Sequence, residues 1–190
     1  AVGLEALRSA QGNALGEGWS DFFPCSYFND PVFAEYGSGN AEIGIRDYAL
    51  NDNPLTYGSV ARRGYADGHD DGEIWSATLW DLRTAFIDEY GYEDGKRAVE
   101  QLIVDAMKLS SAEPTFLDMR DCMLLADHEN NGGVNHEIMW PVFAARGMGY
   151  SATTTGPEDT APLEAFDLPP SLKVLESIHF ELPGITLTGI

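Results

Sequence analysis

The segment Gly16-Glu17-Gly18-Trp19-Ser20-Asp21-Phe22-Phe23, near the start of the 190-residue chain, carries more structural information than any other stretch. Its two carboxylates, Glu17 and Asp21, are four residues apart, so a helix would place them one turn apart on one face. Large apolar residues surround them, and a buried carboxylate is costly unless it is paired, hydrogen-bonded or bound to a metal ion. The alternative is that both acids face solvent, as most acidic side chains do.

The composition describes a folded, strongly acidic domain. Hydrophobic residues make up 44% of the chain and aromatic residues 11%, which disfavours disorder. The formal net charge is −20, so the phosphates of nucleic acids and of anionic membranes would be repelled. We therefore expect no nucleic acid and no membrane as partner, and no apolar run is long enough to form a membrane span.

Cys25 and Cys122 are too few for a disulfide scaffold. One bridge in an oxidising compartment and two buried thiols are both compatible with their spacing. The first residues lack an initiator Met and the basic start and apolar core of a signal peptide, so we expect the chain to begin within a longer protein.

The fold class predicted from the pattern is mainly α, a helical bundle with a long irregular region. A first helix is predicted over residues 14–23, ending at Pro24, because proline disrupts a helix interior. Residues 24–68 are rich in Gly, Asn, Asp, Pro and Tyr and predict irregular structure. Apolar spacing predicts further helices over 73–90, 94–109, 115–129 and 134–146, with Pro141 placed to kink the last.

The end of the chain is predicted to be separate from the bundle. The run Ala-Thr-Thr-Thr-Gly-Pro at 152–157 is typical of a linker, and residues 172–182 have the composition of a strand. We therefore divide the chain into a helical domain, residues 1–152, and a linker with a short extended tail, residues 153–190, which can begin a following module.

Two further residues are candidates for chemistry. His69, in Gly68-His69-Asp70-Asp71-Gly72-Glu73-Ile74-Trp75, can donate a hydrogen bond to a developing oxyanion while neighbouring acids keep it protonated. Arg46 can bind a substrate carbonyl or carboxylate with two hydrogen bonds. The alternatives are a surface histidine in a polar turn and an arginine that pairs with one of the chain's acids. The remaining histidines, His128, His136 and His179, match no zinc spacing and are interpreted as structural or surface residues.

More motifs follow in order along the chain. They are Gly44-Ile45-Arg46, Asn53-Pro54-Leu55-Thr56-Tyr57, His69-Asp70-Asp71-Gly72-Glu73-Ile74-Trp75 running into Thr78-Leu79-Trp80-Asp81, Pro114-Thr115-Phe116-Leu117-Asp118-Met119-Arg120-Asp121, and Trp140-Pro141-Val142-Phe143-Ala144-Ala145-Arg146-Gly147-Met148-Gly149. With the opening Gly-Glu-Gly-Trp-Ser-Asp segment, over residues about 5 to 152, the chain resembles the fungalysin family of secreted zinc metalloendopeptidases, relatives of the thermolysin-like peptidases.

The resemblance implies a role for each candidate residue. Glu17 would be the third protein ligand of a catalytic zinc ion, and Asp21 the acid that bonds a zinc-ligating histidine. His69 would stabilise the oxyanion of the tetrahedral intermediate, and Arg46 would bind a substrate carbonyl oxygen. In such enzymes zinc polarises the scissile carbonyl and activates water, whose proton a glutamate takes.

The sequence departs from the family in one respect, because its 190 residues contain no His-Glu-x-x-His. That motif supplies two zinc ligands and the general base, and a catalytic zinc needs about three protein ligands. The resemblance therefore implies the C-terminal helical lobe of an extracellular enzyme, inactive alone, whose partners are a protein or peptide substrate and the N-terminal lobe. The alternative is a non-catalytic peptide- or protein-binding module derived from that lobe.

Overall fold

Helices account for all the regular structure in residues 6–170, the range that the computed structural model describes. The mainly α fold class is therefore confirmed. The helices are α1 (Ala10–Phe28), α2 (Glu35–Ser38), α3 (Gly68–Tyr90), α4 (Tyr92–Leu109), α5 (Phe116–Asn131) and α6 (His136–Ala145), with single 3₁₀ turns at Leu50–Asp52 and Tyr57–Ser59.

Helix α1 is longer than predicted at both ends. Ser9 caps its start by accepting a hydrogen bond from the Gly12 N–H at 3.1 Å, and Asn29 ends it in the left-handed conformation with φ 55°. The predicted end at Pro24 is wrong, because Pro24 lies inside the helix. A proline removes one helical hydrogen bond, but continuing the helix buries Ser26, whose hydroxyl accepts a hydrogen bond at 2.9 Å from a side chain of α3.

Helix α3 begins five residues before the predicted position, at Gly68, and ends at Tyr90 as predicted. The Asp67 carboxylate accepts hydrogen bonds from the backbone N–H groups of His69 and Asp70 and so caps the helix. The other helix bounds lie within two residues of the predicted ones, and Pro141 lies inside α6. The predicted irregular region begins at Asn29 rather than at residue 24, since α1 continues through Pro24.

The core lies where α1, α3 and α5 meet. Trp75 of α3 and Phe116 of α5 are fully buried, with ring centroids 5.7 Å apart, and Tyr57 packs on Phe116 at the same distance. Cys25 and Cys122 are separate thiols, and burial raises the pKa of Cys25 to about 12. The structure thus shows two separate thiols rather than a bridge, and of the two predicted buried thiols Cys25 is buried and Cys122 is partly exposed.

Residues 153–170 contact the helices through specific hydrogen bonds. The buried Gln11 side chain of α1 donates to Thr154 Oγ1 at 3.2 Å and to the Asp159 carbonyl at 3.1 Å. Glu164 accepts from the Thr56 hydroxyl and from the Gly58 N–H. The division of the chain at residue 152 stays a prediction, and the predicted strand at 172–182 and extended tail lie outside the described residues.

Within residues 6–170, no helix combines the length and apolar character that a membrane crossing requires.

Helices α1 and α3 approach most closely at two glycines. A Cβ atom added to Gly18 would lie 2.8 Å from both the Gly72 carbonyl oxygen and the Trp75 Cβ. A Cβ added to Gly72 would lie 3.0 Å from the Ala14 carbonyl oxygen and the Glu17 Cβ. The crossing therefore depends on the absence of side chains at both positions.

We expect Gly18→Ala to destabilise the chain by about 1–3 kcal/mol, because the extra methyl group forces the helices apart. Gly16→Ala, on the same helix, is the matched control, since its nearest contact would be an ordinary 3.4 Å to a Leu7 methyl. It should stabilise the chain by about 0.5–1 kcal/mol through helix propensity. Urea unfolding followed by circular dichroism measures both, and equal stability of the two variants would contradict the crossing described here.

Candidate active site

The predicted site residues line one cleft of about 630 Å³. Glu17 and Asp21 come from α1, and His69 comes from the first turn of α3. Arg46 and Phe33 come from the irregular region between these helices. Four residues that are up to 52 positions apart in sequence, Glu17 to His69, are therefore brought together by the α1–α3 crossing and one loop.

Glu17 makes the contact that joins the two helices within the cleft. Its Oε2 lies 2.8 Å from Nδ1 of His69 and 3.7 Å from Nη2 of Arg46. The Glu17 side chain is 32% exposed and the His69 side chain 63%. Both side chains are thus accessible from the cleft.

Asp21 and Arg46 form a bidentate ion pair beneath Glu17. Arg46 Nε and Nη2 donate to the two Asp21 oxygens at 2.7 and 2.8 Å, and Asp21 is fully buried. Burial pushes the pKa of the Asp21 carboxyl above its ordinary value, and the hydrogen bonds and charge of Arg46 oppose that shift. Since each carboxylate oxygen has a second lone pair, Asp21 retains the capacity to accept from a further donor.

The loop that carries Arg46 is closed by one glycine. The Ile45 N–H donates to the Phe33 carbonyl at 3.0 Å, and Gly44 adopts φ 71° beside that carbonyl. A Cβ on Gly44 would lie 1.9 Å from the Phe33 oxygen, so only glycine fits. The closure places the Phe33 ring 5.3 Å from the Arg46 guanidinium, in cation–π range.

The acids that adjoin His69 in sequence have other partners. Asp70 pairs with Arg63 at 2.6 Å, and Asp71 accepts hydrogen bonds from the backbone N–H groups of Ala61 and Asp67. The acid that bonds the His69 ring is Glu17, which lies on a different helix. Proximity in sequence therefore identified the wrong acids as neighbours of the imidazole.

Glu73 is a residue of the site that sequence reasoning missed. Its carboxylate is 2% exposed and accepts hydrogen bonds from the Asp47 N–H at 3.2 Å and the Tyr48 N–H at 3.1 Å, directly after Arg46. Burial raises its pKa to about 7, against the smaller opposing effect of those two hydrogen bonds. In the sequence Glu73 directly precedes the largely apolar run from Ile74 to Trp80, and nothing about that position distinguishes it from the chain's other acids.

The other histidines lie away from the cleft. His136 Nε2 lies 3.0 Å from the Leu124 carbonyl oxygen. His128 is exposed, near the Gly132-Gly133 turn that follows α5. Neither is among the residues that line the cleft, and His179 lies beyond the described range.

The cleft supplies one candidate protein ligand for a catalytic zinc ion, which is too few for a complete zinc site. The candidate ligand, Glu17, is one carboxylate, and zinc needs about three protein ligands. In residues 6–170, the one group of three candidate metal-binding side chains is Asp47, Asp70 and Glu73, with ligand atoms within 4.8 Å of one another. Those acids already contact guanidinium groups, and Glu17 is not among them.

Comparison with known proteins identifies the class. A sequence model described as fungalysin metallopeptidase (M36) matches residues 2–152, which is most of the chain and contains the whole cleft. The match is to a class of metal-dependent peptidases. The chain belongs to the fungalysin family, as the motifs indicated.

Curated relatives agree with this assignment. The extracellular metalloproteinase mep of Aspergillus niger is 33% identical over 77% of this chain and 27% of that protein. The extracellular metalloproteinase of Pyrenophora tritici-repentis is 33% identical over 86% of this chain and 28% of that protein. Extracellular metalloproteinase 3 of Trichophyton tonsurans is 31% identical over 77% and 26%. The chain thus spans about a quarter of the length of these relatives.

Glu73 predicts a pH dependence of stability. Between the ordinary pKa of 4.5 and the native value of about 7, the native chain holds a proton that the unfolded chain has lost. Stability therefore falls as pH rises through this window, by about 3 kcal/mol. Glu73→Gln resembles the protonated form, so it should match the parent chain at pH 5 and be more stable at pH 8. Urea unfolding at both pH values measures the difference, and a difference that does not change with pH would contradict the assignment.

Proposed function

We propose that this chain is the C-terminal helical lobe of a secreted zinc metalloendopeptidase that hydrolyses peptide bonds in proteins. The observation that supports this most strongly is the convergence of Glu17, Asp21, Arg46 and His69 in one cleft. The motifs gave each of these residues a role in such an enzyme, and the curated relatives are extracellular metalloproteinases by name.

Glu17 would be the zinc ligand that this lobe supplies, because its carboxylate is partly exposed in the cleft and is not paired with Arg62 or Arg63 as Asp47 and Asp70 are. Zinc supplies, when bound, a Lewis acid for the scissile carbonyl and an activated water. Asp21 would accept a hydrogen bond from a zinc-ligating histidine that lies outside this chain, and so orient that histidine. Asp21 is fully buried, and its oxygens keep lone pairs that the Arg46 ion pair does not use.

Arg46 and His69 would act on the substrate. Nε and Nη2 of Arg46 each donate one hydrogen bond to Asp21, so both N–H groups of Nη1 and the second of Nη2 are left to donate to a substrate carbonyl. His69 bonds Glu17 through Nδ1, so Nε2 is the nitrogen left to donate to the carbonyl oxygen as negative charge develops. Glu17 would then also orient the imidazole.

The chain by itself should not bind zinc stoichiometrically, because Glu17 alone is too few ligands. The other acids grouped in the cleft, Asp47, Asp70 and Glu73, already contact arginines. Equilibrium dialysis of the 190-residue chain against zinc, followed by elemental analysis, measures this. One tightly held zinc ion per chain would contradict the proposed division of ligands.

In the complete enzyme, Glu17→Gln should remove most of the bound zinc and lower kcat/KM at least ~100-fold, because a neutral amide is a poor zinc ligand. His69→Ala should leave the zinc content unchanged and lower kcat ~100-fold, the usual effect of losing one oxyanion donor. Glu89→Gln, an exposed acid on α3, is the control and should change neither. Peptide cleavage and zinc content measured on the same preparations check the roles, and full activity of His69→Ala would refute its part.

A further inference from the structure

Arg46 can orient a substrate only if the segment that carries it is fixed. Its side chain is fixed by the ion pair with Asp21. Its backbone is fixed separately, because the N–H groups of the next two residues, Asp47 and Tyr48, donate to Oε1 and Oε2 of Glu73. One carboxylate thus accepts two consecutive backbone hydrogen bonds at the point where the chain leaves Arg46.

Glu73 lies one helical turn after His69 on α3. The Glu73 carbonyl also accepts a hydrogen bond from the Asn53 side chain, so this turn of α3 is bonded to the irregular region at two places. The helix that carries His69 is therefore the element against which the Arg46 segment is held.

We propose that Glu73 is a positioning residue, which sets the placement of Arg46 relative to His69 by holding the backbone of Asp47 and Tyr48 against α3. This inference rests on the proposed function, in which Arg46 and His69 contact the substrate.

The charges around Glu73 indicate that a glutamate at this position does not serve to increase the stability of the fold. Asp47 pairs with Arg62 at 2.5 Å and with Arg63 at 2.6 Å, and Arg62 lies 3.9 Å from Glu73. Arg63 also pairs with Asp70, so three acids share two guanidinium groups. An ionised Glu73 in this buried position lowers stability near neutral pH. A neutral side chain would be more stable there but could not accept both hydrogen bonds.

The decisive experiment compares Glu73→Gln with Glu89→Gln in the 190-residue chain at pH 8 by NMR. A glutamine offers one oxygen, so one of the two N–H groups loses its acceptor. We expect amide exchange at Asp47 and Tyr48, and exchange of the Arg46 Nε–H, to be about tenfold faster. Global stability should not fall. Glu89→Gln should leave all three exchange rates unchanged.

A structural role would give a different combination of results. If Glu73 served only to stabilise the fold, Glu73→Gln would lower global stability at pH 8 and exchange would rise throughout the chain. Unchanged exchange at Asp47, Tyr48 and Arg46 in a folded variant would overturn the proposal. If the variant does not fold, the parent chain decides: the amide shifts of Asp47 and Tyr48 should titrate with the same midpoint as the Glu73 carboxyl carbon. Amide shifts of Asp47 and Tyr48 that do not follow the Glu73 carboxyl carbon would overturn it.

Activity separates this inference from the proposed function. In the complete enzyme, Glu73→Gln should lower kcat/KM about tenfold, mainly through KM, with unchanged zinc content, since Arg46 would hold the substrate carbonyl less well. If the complete enzyme cleaves no peptide, the proposed function fails, while the exchange rates still decide whether Glu73 holds the Arg46 segment. If it cleaves peptides and Glu73→Gln has the parent KM, the positioning role is refuted alone.

Discussion

The close crossing of α1 and α3 is the constraint on which the cleft depends. Gly18 and Gly72 face each other there, and a Cβ at either would lie 3.0 Å or less from atoms of the other helix. Because Glu17 directly precedes Gly18 and Glu73 directly follows Gly72, the same contact fixes both carboxylates relative to α3 and the loop. Helices held further apart by side chains would break the 2.8 Å contact between Glu17 and His69.

The chain has few basic side chains, and several of them are used in contacts inside the molecule. The sequence holds 31 acidic residues and 11 Lys and Arg, and several arginines are used inside the molecule. Arg120 donates to the backbone carbonyls of Met148 and Gly149, and Arg146 to those of Asn53 and Leu55. A guanidinium has five donors in a fixed plane, so one side chain can join segments that no helix connects. The excess negative charge is left mainly to the surface, where it repels phosphates.

The sequence predicted those features that depend on local spacing. Helical periodicity located the helices after residue 73, and the four-residue spacing of Glu17 and Asp21 predicted that both lie on one face of a helix. The end of α1 could not be predicted, since the burial of Ser26 against α3 outweighs the local effect of Pro24. The partners of Asp21 and His69 were equally inaccessible, because they depend on the loop closure at Gly44 and on the helix crossing. Glu73 was missed because one acid among 31 carries no signal until its neighbours are known to be buried.

Exposure divides the residues of the cleft into two groups with different physical properties. The Asp21 carboxylate is fully buried and the Arg46 side chain is 11% exposed, and this low-dielectric, bidentate pair should persist through changes of ligand or salt. Glu17 and His69, at 32% and 63% exposure, form a side-chain contact that water screens and that contributes little to stability. Such a pair can be separated at small cost when a metal ion or a substrate carbonyl competes for either member. The buried pair therefore gives the cleft a fixed geometry, and the exposed pair gives it side chains that can exchange this contact for one with a bound ligand.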